Sequence, residues 1–206
     1  MTWTNNNERT VRWFPGVKLL VLVSFLFCIF SDGKASISLH KANIDLSNNA
    51  IIDIYQDDHG YMWIGTYDGL NLFNGRNTYV YRFEPDNKYT LCSNIINKIS
   101  DGGPGHLWIS TSMGLNRFSL RDRKVTESYP EYPECVLIAT DSLENTLVIS
   151  QKNFISCHTA RTGAFQDIYT QGINPETTKI LFTDGQGGFY LLSSDGALKQ
   201  LVPDYS

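Results

Sequence analysis

Histidine is the side chain that most often binds metals or transfers protons in proteins. The spacing of the histidines in this 206-residue sequence favours neither role. The four histidines form no HExxH pattern or paired ligand spacing, and no GxSxG sequence accompanies them. They are His40, His59, His106 and His158. We interpret them as residues in or beside turns, and we predict no catalytic residue, no metal ligand and no cofactor site.

Adjacent carboxylates at Asp57 and Asp58 allow two interpretations. They could bind calcium, or an acidic residue could accept hydrogen bonds from nearby backbone N–H groups of a turn, which we favour. The order Asp58, Gly60, Trp63 is also similar to the Asp-box hairpin of sialidase propellers, which is itself a structural turn. A sialidase also needs a set of arginines that bind the substrate carboxylate, and the sequence alone does not indicate that its arginines form such a set. The arginines considered are Arg76, Arg82, Arg117, Arg121, Arg123 and Arg161.

The first residues have the form of a secretory signal. Basic residues precede the apolar run LLVLVSFLFCIF at 19–30, which is followed by the small and polar stretch SDGKA. The run is shorter than the ~20 residues that span a bilayer. We predict a signal peptide over residues 1–35, cleaved after Ala35, with an uncleaved anchor as the alternative. The rest of the chain is then expected in the periplasm.

Cysteine content predicts little beyond this. Without Cys28, the chain retains Cys92, Cys135 and Cys157, an odd number with no CxxC spacing. Neither a zinc site nor a dense disulfide framework is indicated. A bridge between Cys135 and Cys157 stays open, and we favour three small buried thiols.

Composition is that of a folding chain without affinity for nucleic acid. It is 42% hydrophobic and 18% charged, with a net charge of -4 and a pI near 5.5. This supports a sizeable core, and the absence of a basic surplus argues against nucleic-acid binding.

A repeat of about forty residues organises the chain. Trp63 and Trp108 lie 45 residues apart, and each has a glycine three residues before it and another six residues after it. Fainter copies are centred on Leu147 and Tyr190, where Asp141 and Asp184 lie six residues before the centre, as Asp57 does. The predicted structural anchors are Asp57, Gly60, Trp63, Gly69, Asp101, Gly105, Trp108, Gly114, Asp141, Asp184, Gly187, Tyr190 and Gly196.

Each repeat reads as a four-stranded meander. In the first copy, short β-rich runs alternate with turns, including Asp68-Gly69 and Asn74-Gly75, the dipeptides preferred in two-residue hairpins. Helical spacing is absent, so the pattern predicts an all-β fold, a β-propeller of about four four-stranded blades. We place the repeats near 46–90, 91–133, 134–174 and 175–206. The large aromatics should pack between blades, and a ligand-stacking role for them is the alternative.

Residues 46–75, LSNNAIIDIYQDDHGYMWIGTYDGLNLFNG, and 89–118, YTLCSNIINKISDGGPGHLWISTSMGLNRF, resemble the two-component regulator propeller repeats. In that family such repeats form the periplasmic sensor region of hybrid histidine kinases of Bacteroides-type bacteria. In members of that family, many such repeats form two consecutive propellers, followed by a β-sandwich, a membrane helix, a histidine kinase, a receiver and a DNA-binding module, and the kinase activity is not carried over to this sequence. The resemblance also implies that the propellers sense carbohydrate breakdown products.

The given sequence contains no histidine phosphorylation box and no ATP-binding glycine motif. We therefore expect a non-catalytic, ligand-sensing part of a signalling receptor. Its expected ligand is an oligosaccharide, which the sequence does not identify. The four repeats should be an incomplete part of a larger propeller, and their expected partners are the missing downstream propeller and kinase regions or, by self-association, a second copy. A secreted glycan-binding or glycan-active propeller is the alternative function.

Overall fold

The computed structural model describes residues 44–152, 154–168, 173–184 and 187–201. Fifteen β-strands make up this part of the chain, and none of its residues lies in a helix. The prediction of an all-β fold is confirmed. The predicted signal peptide and its predicted cleavage site lie outside the described residues. Within those residues, no helix is long and apolar enough to cross a membrane.

The strands form four separate antiparallel sheets, which we call blades 1 to 4, and each is a meander in chain order. Blade 1 contains β1 (Ile51–Gln56), β2 (Met62–Thr66), β3 (Gly69–Phe73) and β4 (Thr78–Tyr81). Blade 2 contains β5 (Ile96–Asp101), β6 (His106–Thr111), β7 (Gly114–Ser119) and β8 (Lys124–Tyr129). Blade 3 contains β9 (Cys135–Thr140), β10 (Thr146–Ser150), β11 (Ile155–Thr159) and β12 (Ala164–Asp167). Blade 4 contains three described strands, β13 (Thr178–Thr183), β14 (Phe189–Ser193) and β15 (Leu198–Leu201).

The first strand of every blade is irregular at the same place. In each, the pairing with the second strand shifts by one residue directly after the first paired residue, which leaves one residue of the first strand unpaired, as in a β-bulge. We call the residues before this shift the pre-bulge residues. They are Ile51, Ile96, Cys135 and Thr178. The shared irregularity gives a structural alignment of the four blades that does not depend on sequence similarity.

The first strands of successive blades lie beside one another, β1 against β5, β5 against β9, and β9 against β13. This is the arrangement of strands around the axis of a propeller. In the described part of the chain, the blades follow one another in order and do not close into a ring. The predicted fold, a set of propeller blades that is incomplete as a ring, is confirmed.

Three apolar layers hold adjacent blades together. Layer 1/2 contains Trp63 and Leu72 of blade 1 with Ile99, Leu107 and Phe118 of blade 2. Layer 2/3 contains Trp108 and Leu115 with Cys135, Ile138 and Val148. Layer 3/4 contains Leu147, Ile149 and Cys157 with Phe189 and Leu191. Because side chains alternate across a strand, each middle blade buries both faces in these layers.

Candidate functional site

The two tryptophans that anchor the repeat are core residues. Trp63 and Trp108 are each 1% exposed. The Trp63 ring lies 5.3 Å from Phe118 of blade 2 and 6.0 Å from Tyr81 of its own blade. The Trp108 ring packs at 5.7 Å from Phe165 of blade 3. The predicted burial of both rings is confirmed.

Asp57 organises the turn between β1 and β2. One carboxylate oxygen accepts hydrogen bonds from the backbone N–H groups of His59 (2.9 Å) and Tyr61 (3.0 Å). The other accepts from the Trp63 indole Nε1–H at 2.9 Å. This confirms the preferred interpretation of Asp57 as a turn residue that accepts backbone N–H groups. Asp58 is exposed, and no group of three potential metal-binding side chains was found among the described residues.

The equivalent acids of blades 3 and 4 bond in the same way. Asp141 accepts from the backbone N–H groups of Leu143 and Asn145, each at 2.8 Å. Asp184 accepts from the Gly188 N–H at 3.1 Å and from the Tyr190 hydroxyl at 3.2 Å. The half-buried Tyr190 stacks on Phe182 at 5.3 Å.

Blade 2 departs from this pattern, because Gly102 and not Asp101 lies at the Asp57 position. The Gly102 N–H donates to His106 O at 3.1 Å, as the Asp57 N–H donates to Tyr61 O at 3.0 Å. Asp101 is the exposed last residue of β5, and its carbonyl accepts from the Thr140 hydroxyl at 2.8 Å. A Cβ at Gly102 would lie 2.9 Å from the Leu107 carbonyl carbon, so this turn excludes a side chain.

The glycine anchors lie at two kinds of turn. Gly60, Gly105 and Gly187 have φ of 80°, 74° and 92°, the left-handed region that glycine adopts without strain. Gly69 and Gly114 begin β3 and β7. The last anchor, Gly196, lies in the β14–β15 turn, which is one residue longer than the β2–β3 turn of blade 1. Ala197 therefore takes the position of Gly69, and the Ser193 N–H donates to Ala197 O at 2.9 Å.

The cysteines are thiols in different surroundings. Cys135 is buried in layer 2/3 and Cys157 in layer 3/4, so the possible bridge between them is not formed. Burial raises the pKa of the Cys135 thiol to about 12, which keeps it protonated. Cys92 is only half-buried, in contrast to the expectation of three buried thiols.

A cleft of about 260 Å³ opens between blades 1 and 2, and it combines aromatic and charged side chains in its lining. It lies between the end of β4, the connection that follows β4, and the start of β8, and we call it the rim cleft. Its lining residues include Tyr81, Arg82, Glu84, Tyr89, Arg123 and Lys124. Arg82 is paired with Asp68 at 2.9 Å, and the Glu84 carboxylate accepts from Asn87 Nδ2 at 2.8 Å.

Cationic side chains contact tyrosine rings at and beside this cleft. Arg123 Cζ lies 5.3 Å from the centre of the Tyr79 ring, and Lys124 Nζ lies 4.7 Å from the centre of the Tyr89 ring. Lys88 Nζ approaches the same Tyr89 ring at 5.1 Å. These contacts hold flat apolar surfaces and N–H donors in fixed relative positions. Among the described residues, no carboxylate forms an ion pair with Arg123 or Lys124.

Arg123 adopts a backbone conformation that few residues with side chains adopt. Its φ is 53°, and its N–H closes the β7–β8 turn on Ser119 O at 2.9 Å. The matching turn of blade 3 closes in the same way, from the N–H of Gly163, with φ of 64°. A left-handed non-glycine residue is strained, and Asp86, Glu134 and Glu144 share this conformation with Arg123. Arg123 also borders a second cleft of about 290 Å³, lined by His59, Tyr61 and Arg121.

From the sequence alone, Arg123 is one of several arginines for which no arrangement is predicted. A signal was present, because aligning the β7–β8 and β11–β12 turns sets Arg123 against Gly163. This alignment requires the strand positions, because aligning the repeats on Trp108 and Leu147 alone does not bring Arg123 and Gly163 to the same position. The ring partners Tyr79 and Tyr89 had no signal, because they come from a strand and a connection that the repeat pattern does not fix.

The fold and its repeated turns define a set of β-propeller blades, and the comparisons agree. Residues 45–68 match the model of the two-component regulator propeller, which confirms the resemblance seen in the sequence. Histidine kinase P4 of Formosa agariphila is 36% identical over 78 residues, which are 37% of this chain and 6% of that protein.

Solved structures are similar over most of the chain. The extracellular domain of a hybrid two-component system from B. thetaiotaomicron has a TM-score of 0.57 at 24% identity, covering 76% of this chain and 24% of that one. The WD40 β-propeller domain of Doa1 has a TM-score of 0.57 at 9% identity, covering 75% of this chain and 51% of that one. At these identities the similarity establishes the propeller fold. The chain thus spans a small part of the kinase and about a quarter of the extracellular domain.

Proposed function

We propose that this chain is an extracytoplasmic, non-catalytic ligand-sensing segment of a two-component signalling receptor, located in the periplasm. The observation that carries the proposal is the two-component regulator propeller repeat at residues 45–68, set in blades whose aromatic anchors are used in packing. The extracellular location of the B. thetaiotaomicron neighbour supports the compartment. The ligand class we propose is a carbohydrate breakdown product.

The rim cleft supports this ligand class by its chemistry. The half-buried Tyr81 and the 48% exposed Tyr89 give the cleft aromatic surface that a sugar ring can contact. Arg123 and Lys124 add donors for sugar hydroxyls or for the carboxylate of an acidic sugar. Ligand sites of this kind combine apolar surface with a few placed polar groups.

Calorimetric titration of the full chain with neutral and uronate-containing oligosaccharides tests the proposal. Arg123→Gly is the informative variant, because it removes the guanidinium and relieves the left-handed strain at the same position. We expect it to weaken binding about tenfold or more, ~1.4 kcal/mol, while the fold is retained. The matched control is Lys152→Ala, a 61% exposed lysine of blade 3 that lies outside the cleft.

Two results would contradict the proposal. One is that no oligosaccharide of the set binds, and the other is that binding is equal in the wild-type chain and Arg123→Gly. The same samples should be followed for sugar release, since turnover would favour a glycan-active propeller instead.

A further inference from the structure

The free face of blade 1 and the face of blade 4 opposite layer 3/4 carry exposed apolar residues. Equivalent residues on other blades are buried between blades. Ile54 of blade 1 is 50% exposed, whereas Ile99 and Ile138, its equivalents in blades 2 and 3, are 2% and 7% exposed. On blade 4, Phe189 and Leu191 pack in layer 3/4, so the alternate residues Tyr190 and Leu192 lie on the opposite face. That outward face continues the series of interblade layers. It also carries Ile180 (50% exposed), Phe182 (44%) and Leu198 (60%).

The existing layers follow a size rule at the pre-bulge residue. In layer 1/2 the large Ile96 packs on Gly65, where a Cβ would lie 2.6 Å from the Ile96 Cγ2 atom. In layer 2/3 the smaller Cys135 lies beside the Ser110 hydroxyl. The strand pairing puts Ile149 of blade 3 at the Gly65 position, and the pre-bulge residue that follows it is the small Thr178. A pre-bulge isoleucine thus packs on glycine, whereas the pre-bulge residues of the blades that follow the larger Ser110 and Ile149 are the smaller cysteine and threonine.

Leu192 occupies the Gly65 position of blade 4. It pairs with Ile180, the residue directly after the bulge, as Gly65 pairs with Asp53. A large side chain there leaves no room for an isoleucine, because packed interiors accommodate added methylene groups only by shifting other atoms. The pre-bulge residue that can pack on Leu192 is therefore a small one.

We infer that the outward face of blade 4 docks a further propeller blade whose pre-bulge residue is small, of the size of Cys135 or Thr178. A second copy of this chain does not fit, because its blade 1 would bring Ile51 against Leu192. The size relation thus selects a blade of different sequence over head-to-tail self-association. This inference does not depend on the proposed sensing function.

The direct test lengthens the full chain at its C-terminal end by a second copy of residues 130–168, which carry the four strands of blade 3. Two versions differ only at the position of Cys135 in the added copy, which becomes Thr in one and Ile in the other. We expect the Thr version to unfold at a temperature at least about 4 °C higher, because the Ile version is overpacked against Leu192. Equal unfolding temperatures, or a more stable Ile version, would overturn the inference.

A second measurement covers the case in which the added blade does not fold in either version. Sedimentation velocity of the unextended chain should show that Leu192→Ala and Ile51→Thr, which trim opposite sides of the same contact, each increase association relative to the wild type. Adding Ile54→Asp to either variant should abolish the increase. If the wild-type chain already forms discrete dimers that Ile54→Asp dissociates, or if neither trimming variant associates more, the inference is wrong.

Discussion

Layers 1/2 and 2/3 place a tryptophan at the same position, yet the two indole N–H groups bond in different directions. Trp63 Nε1–H donates to Asp57 of its own blade at 2.9 Å. Trp108 Nε1–H donates to the Thr146 hydroxyl of the next blade, also at 2.9 Å. The first tryptophan therefore ties its blade to its own turn, and the second ties two blades together.

The difference begins with one residue of the turn. Gly102 takes the Asp57 position in blade 2 and has no carboxylate to accept the indole proton, so Trp108 uses Thr146 instead. Thr140 Oγ1 donates to the Asp101 carbonyl at 2.8 Å, which leaves Thr146 Oγ1 as the donor of the 3.0 Å bond to Thr140. The result is a chain of hydrogen bonds that crosses layer 2/3 twice. A repeated core position can thus keep its packing role while its polar partner moves to another blade.

The largest expected effect is the loss of either ring. Trp63→Ala and Trp108→Ala should each lower the free energy of unfolding by ~3–5 kcal/mol, because both side chains fill an interblade layer. Denaturant titration measures this. A variant with an unchanged midpoint and abolished ligand binding would show that its ring serves as a stacking surface and not as packing.

Removing the residue that accepts the indole hydrogen bond should have a different cost in the two layers. Asp57→Ala should cost ~2–4 kcal/mol, because one carboxylate serves two backbone N–H groups and the indole. Thr146→Val is nearly isosteric and should cost ~1–2 kcal/mol, since it breaks the bonds to Trp108 and Thr140. Equal costs for the two variants in denaturant titration would contradict the division of roles.

The buried His158 should make the stability of layer 2/3 depend on pH. His158 is 2% exposed and packs against the rings of Trp108 and Phe165. Burial lowers the pKa of His158 below its ordinary value of 6.5, so the unfolded chain binds this proton at a higher pH than the folded chain does. Stability should therefore fall as the pH drops from 7 through about 6.5 toward 5.

The matched variant is His158→Phe, which keeps an aromatic ring and removes the titrating group. Its stability should depend less on pH over this interval than that of the wild-type chain, as measured by thermal unfolding at a series of pH values. Identical pH dependence in the two proteins would refute a contribution from His158.

The smallest effect concerns thiol reactivity. Cys92 is half-buried, whereas Cys135 has no exposed surface and a pKa of about 12. A thiol reagent at neutral pH should modify Cys92 first, because the thiolate is the reactive form. Peptide mapping by mass spectrometry should find Cys135 modified only after unfolding. Early modification of Cys135 in the folded chain would contradict its place in layer 2/3.

Much of the fold was predictable because its signals are local. The Asp-Gly and Asn-Gly turns, the alternating strands and the recurring tryptophans indicated four-stranded blades and the burial of both rings. The β2–β3 turn ends at Gly69, where glycine is needed because a Cβ would lie 2.7 Å from the Tyr81 carbonyl oxygen.

What could not be predicted depends on contacts between repeats. The predicted anchor of blade 2, Asp101, lies one residue before the turn position, because the six-residue spacing from Trp108 leads to Gly102, which carries no carboxylate. The rim cleft joins residues of β4, β8 and the connection between blades, and no single repeat contains that arrangement. Cys92 was expected among buried thiols, but it lies before β5, outside the strands that form the layers.

The central claim is that the aromatic anchors join adjacent blades, and a double-mutant cycle between Trp108→Phe and Thr146→Val tests it most directly. These residues belong to blades 2 and 3, so their coupling reports an interblade bond. We expect a coupling energy of about 1 kcal/mol in the free energy of unfolding, and none in the matched cycle of Trp63→Phe with Thr146→Val. Additive effects of Trp108→Phe and Thr146→Val, or equal coupling in both cycles, would contradict the account.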